Sequence, residues 1–348
     1  MSSTRPSAAG WRAMQVPRPL QRLFDRFPLL MYDANELPAR SQHLTSGELP
    51  TLYIFSTDED ARLGLPSFNP GCLKWQTLLR LSNLRFRTLP STNHASPTGS
   101  LPFLLPARPS SPTSSSPSAA AGPIPADKLL RYAQQHGGVI PPEIPDHETN
   151  RAQAYLALVT LHLRNAWLHA LYLDPAHSEL LQKLYIAPAS SSGGVQAALA
   201  WQLRRAAAEQ IVTSSSSSNG KLVSSGGADA VDEESVYAAA GEALEALAAL
   251  LAGGTRGEEG EDRWFFGVER PTWFDAAVFS YTHLMMEFMG GDDEEEEAPP
   301  PQQGAKTKIK AKTTLGTMVQ DAGTGELARH RRRMLETAWP GWDGRTRA

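Results

Sequence analysis

The stretch ERPTWFDAAVFSYTHLMMEF, Glu269 to Phe288, carries the sharpest local signal in the chain. Thr272 followed three residues later by Asp275 forms a capping-box pattern. The hydroxyl accepts from the Asp275 N–H, and the carboxylate reaches back to the Thr272 N–H. Phe274, Val278, Tyr281, Met285 and Phe288 then recur at helical spacing, so the stretch is a helix with one apolar face. Thr272 and Asp275 are structural by this reading, and loss of either costs on the order of 1 kcal/mol.

The other decisive segments lie in the first third of the chain. LYIF (Leu52 to Phe55) is apolar and short, as a buried strand is. The loop STDEDARLGLPSFNP follows, and its end at Pro70-Gly71 marks a turn. A helix is expected from Cys72 to about Asn83, and LRFRTLP (Leu84 to Pro90) alternates as a second strand. SLPFLLP (Ser100 to Pro106) is a third apolar run with Pro102 near its start, a place that fits a cis peptide or a sheet edge. Strand, helix, strand implies a parallel right-handed crossover. Helices are then expected at 129–136, at 150–173 with Asn150 as N-cap, at 176–186, 194–212, 234–252 and 272–289.

This order gives a small α/β N-terminal domain over 49–138 and an all-α C-terminal domain over 146–290. Disordered inserts interrupt them. The Ser/Pro/Ala-rich segment 107–123 buries too little apolar surface to order. Flexible stretches are expected at 213–231 and 253–262, and a disordered charged insert at 291–325, which holds DDEEEE and KTKIKAK. A C-terminal helix and tail occupy 326–348. Residues 1–48 form a basic arm, in which Leu20, Leu23, Phe24 and Phe27 follow i, i+3, i+4, i+7. That short amphipathic helix suits a membrane surface, a partner's groove or the protein's own surface.

Of 348 residues one is cysteine, too few for an internal disulfide or a multi-cysteine metal site. The net charge of −4 gives no electrostatic footprint for nucleic acid. No apolar run of spanning length is read, and Tyr155 to Leu173, broken by Arg164 and Asn165, is taken as a buried helix. His162 and His169 lie seven apart on that helix without a carboxylate or cysteine at ligand spacing, so no metal site is assigned. Cys72 sits at a helix N-terminus, a place that favours thiolate. It has no histidine within twelve residues on either side, and a lone cysteine is more often a small buried hydrophobe.

A proline-opened strand early and a Thr-x-x-Asp box late resemble the glutathione transferase fold, which implies that the α/β N-terminal domain is thioredoxin-like. LYIFSTDEDARLGLPSFNPGCLKWQTLL, SLPFLL and RPTWFDAAVF resemble segments of the metaxin family, and RAQAYLALVTLHLRNAWLHALYL with LQKLYI is most like its fungal members. The resemblance covers about two thirds of the chain, roughly 50–135 and 146–290. It implies a non-enzymatic subunit of the sorting and assembly machinery, peripheral on the cytosolic face of the mitochondrial outer membrane. Implied partners are a membrane-embedded β-barrel assembly protein, a second metaxin-like subunit, β-barrel precursors and the membrane surface. No cofactor is implied.

The alternative is a cytosolic glutathione-dependent transferase or reductase using Cys72, and a third reading is a soluble scaffold. The transferase pattern needs side-chain hydrogen bonds for the glutathione γ-glutamyl end at the helix after the proline strand. Aligned on Tyr132, those positions are Pro125 and Ala126, which supply none. No catalytic, cofactor or metal residue is therefore assigned, with Cys72 kept for the alternative only.

Overall fold

The computed structural model describes residues 49–107, 122–219, 231–254, 264–290 and 314–342. The expected arm helix at Leu20, Leu23, Phe24 and Phe27 lies outside them with the rest of 1–48, as do 108–121, 220–230 of the expected flexible stretch 213–231, 255–263, 291–313 and 343–348.

The N-terminal half holds strands β1 (Thr51–Ile54), β2 (Arg87–Pro90), β3 (Phe103–Leu105) and the two-residue β4 (Ile124–Pro125). Their order is β2-β1-β3-β4, with β2 parallel to β1 and β3 and β4 antiparallel to their neighbours. The Leu101–Pro102 peptide is cis, immediately before β3. Helix α1 (Asp58–Leu63) follows β1, where the sequence reading expected only a loop. Its signals are local: Thr57 Oγ1 accepts from Asp60 N at 3.1 Å, three acids fill the first turn, and Gly64 ends the helix at φ 68°. That is N-cap, dipole and left-handed C-cap chemistry in six residues.

Helix α2 (Pro70–Leu81) starts on Asn69, whose side chain accepts from Cys72 N at 3.2 Å, with Pro70 at the first helical position. Its apolar residues divide between two cores. Cys72 and Leu79 pack with Leu52, Ile54 and Leu104 of the sheet and with Leu129 and Tyr132. Leu73 and Leu78 join the large core of the helical half. Helix α3 (Leu129–Gln135) closes the α2 side of the sheet. On the opposite face Tyr53 and Phe103 stack at 4.6 Å with Leu105 beside them.

The helical half begins with α4 (Thr149–Leu158), which continues through a π-helical segment (Val159–Leu163), α5 (Arg164–Leu168) and a second π-helical segment (His169–Leu173). Asn150 lies inside α4 rather than capping it; Glu148 precedes the helix and supplies no side-chain cap. Helix α6 (Ser178–Leu181) and a π-helical segment (Gln182–Ile186) lead to α7 (Gly193–Asn219). α7 runs seven residues beyond its expected end into the Ser-rich stretch. There Ser214 Oγ bonds back to Ile211 O at 2.8 Å and to Asn165, satisfying its hydroxyl within the helix.

Helix α8 (Glu233–Gly254) includes a run, Glu233–Gly253, that is long and apolar enough to cross a membrane, which the sequence reading did not find. Its apolar face has a partner here: Ala240, Leu244, Leu247, Ala248 and Leu251 lie in the large core. Helix α9 (Trp273–Phe288) is the central helix, and both hydrogen bonds of its Thr272–Asp275 capping box are formed.

Residues 314–325, expected within a disordered insert, are ordered. Helix α10 (Leu315–Asp321) starts on Thr314, whose side chain accepts from Thr317 N, and buries Leu315 and Val319 in the large core. Gly316 N donates to Met289 O at 2.9 Å. The approach is so close that a Cβ on Gly316 would stand 2.5 Å from Gly290 Cα, so only glycine fits. Helix α11 (Glu326–Ala338) then returns across the core on Leu327, Met334 and Leu335.

The C-terminal end of α11 fastens the two halves. Trp339 Nε1 donates to Gly64 O at 2.9 Å, and Arg80 Nη1 donates to Ala338 O at 3.2 Å. The Arg80 guanidinium lies over the Trp339 ring at 4.9 Å. Nothing in the local sequence of either half announces this contact.

Candidate functional site

The place to look for chemistry is the C-terminal end of β1 and the N-terminal turn of α2, where Cys72 lies. The backbone leaves β1 at Phe55, passes α1 and returns through Ser67 to Asn69. Ser67 Oγ donates to Phe55 O at 2.5 Å, and Ser67 N donates to Gln76 Oε1 at 2.9 Å. Gln76 Nε2 donates to Leu65 O at 2.8 Å, so one buried amide spans the return loop. These bonds hold Cys72 at the first turn, where the helix dipole favours an anion.

The dipole does not prevail. Cys72 has no exposed surface, and burial pushes its thiol up to about 12, against smaller opposing contributions from Phe55 and Ser67. At neutral pH that keeps the thiol protonated, whereas catalytic cysteines sit well below their free value. Cys72 shares its core with Leu52, Ile54, Leu79 and Leu104, and its polar neighbours are the Phe55 backbone and the Ser67 hydroxyl.

An aromatic cluster joins the two halves beside the first turn of α2. Tyr185, from the far side of the helical half, lies 5.3 Å from the Phe55 ring and 5.1 Å edge-on to Phe68. Tyr172 stands 6.0 Å from Tyr185. Asn69 Nδ2 donates to the Tyr185 hydroxyl at 3.2 Å, giving the ring's polar tip a partner. Burial raises both phenols, Tyr172 to about 12 and Tyr185 well above its usual value, where the neighbouring Tyr172 adds to the effect. Both are therefore neutral hydroxyls at physiological pH. Among aromatic pairs these spacings are stabilising ones, and the cluster meets the start of α2 at its Asn69 cap.

At the helix after β4, Pro125 and Ala126 precede α3, and the turn Ala126–Lys128 has no side-chain cap. Neither residue offers a hydroxyl, amide or carboxylate to a bound peptide-like carboxylate. Pro102 stands before β3, between β1 and β4 in the sheet.

Thr272 and Asp275 belong to a different constellation. Asp275 is fully buried and accepts four hydrogen bonds. They come from Thr272 N at 2.8 Å, Thr272 Oγ1 at 2.7 Å, Phe265 N at 3.2 Å and His330 Nε2 at 3.1 Å. The capping box is thus also the anchor of α11 through His330. His330 and Asp275 are 55 residues apart, so no local pattern announces their pairing. His169, the second histidine of the long helical run, is buried and meets Tyr237 edge-on at 5.5 Å.

Two family models match: the glutathione S-transferase N-terminal domain over residues 70–177 and the glutathione S-transferase C-terminal domain over 240–295. With the β2-β1-β3-β4 sheet, the cis proline and the capped central helix already described, the architecture is decided. The chain has a glutathione transferase-like fold. Similar solved structures include the glutathione transferase GSTFuA3 of Phanerochaete chrysosporium, 15% identical over 84% of this chain and 98% of that one, with a TM-score of 0.47. GSTFuA2 of the same organism is 13% identical over 84% and 99%, with a TM-score of 0.48. A glutathione transferase of Ceriporiopsis subvermispora in complex with glutathione is 12% identical over 83% and 98%, with a TM-score of 0.45. No curated protein matches the chain.

Proposed function

We propose that this chain is a non-catalytic subunit of the mitochondrial outer-membrane sorting and assembly machinery. In this reading it sits peripherally on the cytosolic face. It binds β-barrel precursors, a membrane-embedded β-barrel partner and a second metaxin-like subunit, and so promotes precursor insertion. The observation that carries the non-catalytic part is the buried thiol in the first turn of α2. Cys72 has no exposed surface, burial raises its thiol, and the Pro125–Ala126 turn has no side-chain clamp. A transferase gains much of its rate by positioning a bound substrate against an activated nucleophile, and the buried thiol and the Pro125–Ala126 turn support the reading that this chain does neither. The partner assignment rests on the metaxin-like segments of the sequence.

The alternative, a glutathione-dependent enzyme using Cys72, draws on the cysteine's place at a helix N-terminus in this fold. It requires Cys72 to become exposed. Affinity purification of the tagged chain from mildly solubilised membranes tests the proposal. Co-purification of an outer-membrane β-barrel protein and a second metaxin-like chain is expected. Recovery of the chain alone from the soluble fraction would overturn it.

A further inference from the structure

The sheet ends at β2, whose outer side pairs with no strand among the described residues. Arg87 N donates to Pro50 O and Ser91 N to Ile54 O, both at 2.9 Å, so odd-numbered residues of β2 face β1. With a period of two, Thr88 turns its N–H and C=O outward. Pro90 shares that outward register, where a missing N–H removes no ladder bond.

The outward groups border a cleft rather than an open surface. A cavity of about 550 Å³ is lined by Phe86, Arg87, Thr88 and Leu89 on the strand side, and by Ala61 to Gly64 and Arg80 opposite. Three arginines line it, and no carboxylate does. Asp60, the nearest acid on α1, is buried and accepts from Thr57 Oγ1 at 2.8 Å instead. Arg62 and Arg87 are exposed, whereas Arg80 is committed to the fold, its Nη1 on Ala338 O and its Nη2 on Gly64 O. Arg87 shares the sheet face of Tyr53, whereas Thr88 faces α1, with its hydroxyl on Ala61 O. A strand laid beside β2 would therefore meet positive charge on both faces.

We infer that the β2 edge and its cleft bind an extended, acidic segment of a partner polypeptide by strand addition. This rests on the reading that the chain works by binding polypeptides, and it places that binding away from the buried Cys72. Main-chain groups of Thr88, a residue that lines the cleft although most of its surface is buried, supply the docking, and the exposed Arg62 and Arg87 select for acidic side chains and against basic ones.

The test uses the full chain and fluorescein-labelled peptides of alternating Glu and Val, or alternating Lys and Val, followed by anisotropy. Thr88→Pro removes the outward N–H, and Thr88→Val removes only the hydroxyl bond to Ala61. Circular dichroism establishes that each variant is folded. The Glu–Val peptide should bind saturably, the Lys–Val peptide should not, T88P should lose binding and T88V should keep it. The pair R62E/R87E should weaken binding about tenfold. No saturable binding, or equal binding by T88P, would overturn the inference and leave the arginines and Pro90 as guards of a bare edge. If the edge fails while partner co-purification succeeds, the binding role stands without this site. Peptide binding without membrane partners would keep the edge and discard the assembly role.

Discussion

Replacing Asp275 with alanine should be among the most damaging single changes outside the purely apolar core. Its carboxylate accepts four hydrogen bonds with no exposure to water. Loss of the cap at the start of α9 costs about 1 kcal/mol. Phe265 N and His330 Nε2 then become buried donors without an acceptor, at about 1–3 kcal/mol each. Together the loss is about 3–7 kcal/mol, a large part of the roughly 5–15 kcal/mol that holds a typical domain folded. Asp275→Asn keeps the volume and one carbonyl oxygen but turns an NH₂ toward some of the same donors, so it should fall between wild type and D275A. Urea denaturation followed by circular dichroism measures both. A double-mutant cycle with His330→Ala isolates the link to α11, and a coupling of about 1.5–3 kcal/mol is expected for a buried bond to a charged group. A D275A cost under about 1 kcal/mol, or no coupling to His330, would refute this account of what joins α9 to α11.

Other outcomes follow from the same contacts. Trp339→Ala removes the bond to Gly64 O and the ring under Arg80, and should cost about 3–5 kcal/mol, with faster hydrogen exchange at the ends of α1 and α11. His283 is held well below its usual value, first by burial and then by the Arg331 guanidinium, whose Nε donates to His283 Nδ1 at 3.1 Å. The unfolded chain therefore binds the proton that the folded chain refuses, so stability is full above about pH 6.5 and falls as pH drops below it. The slope contributed by this one group is at most about 1.4 kcal/mol per pH unit, and His283→Phe should flatten that part of a denaturation-versus-pH series. Cys72 should resist a soluble thiol reagent in the native protein and react once urea opens the fold; fast native labelling would contradict its burial.

Most of the fold was legible because its signals are local. The alternation of LRFRTLP, the proline before FLL and the Thr272–Asp275 box each act within a few residues, and each lies at or beside the element it announces. α1 was missed although Thr57, Asp60 and Gly64 mark both its ends, because six residues are too few for an apolar period to register. Residues 314–325 were masked by the charge runs before them. Thr314 with Thr317 is a cap signal that those neighbours outweighed, and the glycine at 316 has meaning only beside Gly290. The site was less legible than the fold. The missing clamp at Pro125 and Ala126 can be read from one segment, but the aromatic cluster cannot, since Asn69 and Tyr185 meet across 116 residues of chain. Likewise the Arg80–Trp339 stack joins residues from the two ends of the described chain, and tertiary packing alone sets it.

Whether the first turn of α2 is closed to ligand is read most directly by titrating glutathione into the purified full chain by calorimetry, beside Cys72→Ser. With Cys72 buried, no saturable heat is expected from either protein at millimolar glutathione. Saturable binding to the wild type that is lost in C72S would contradict the closed site and return the chain to the enzymes of its fold.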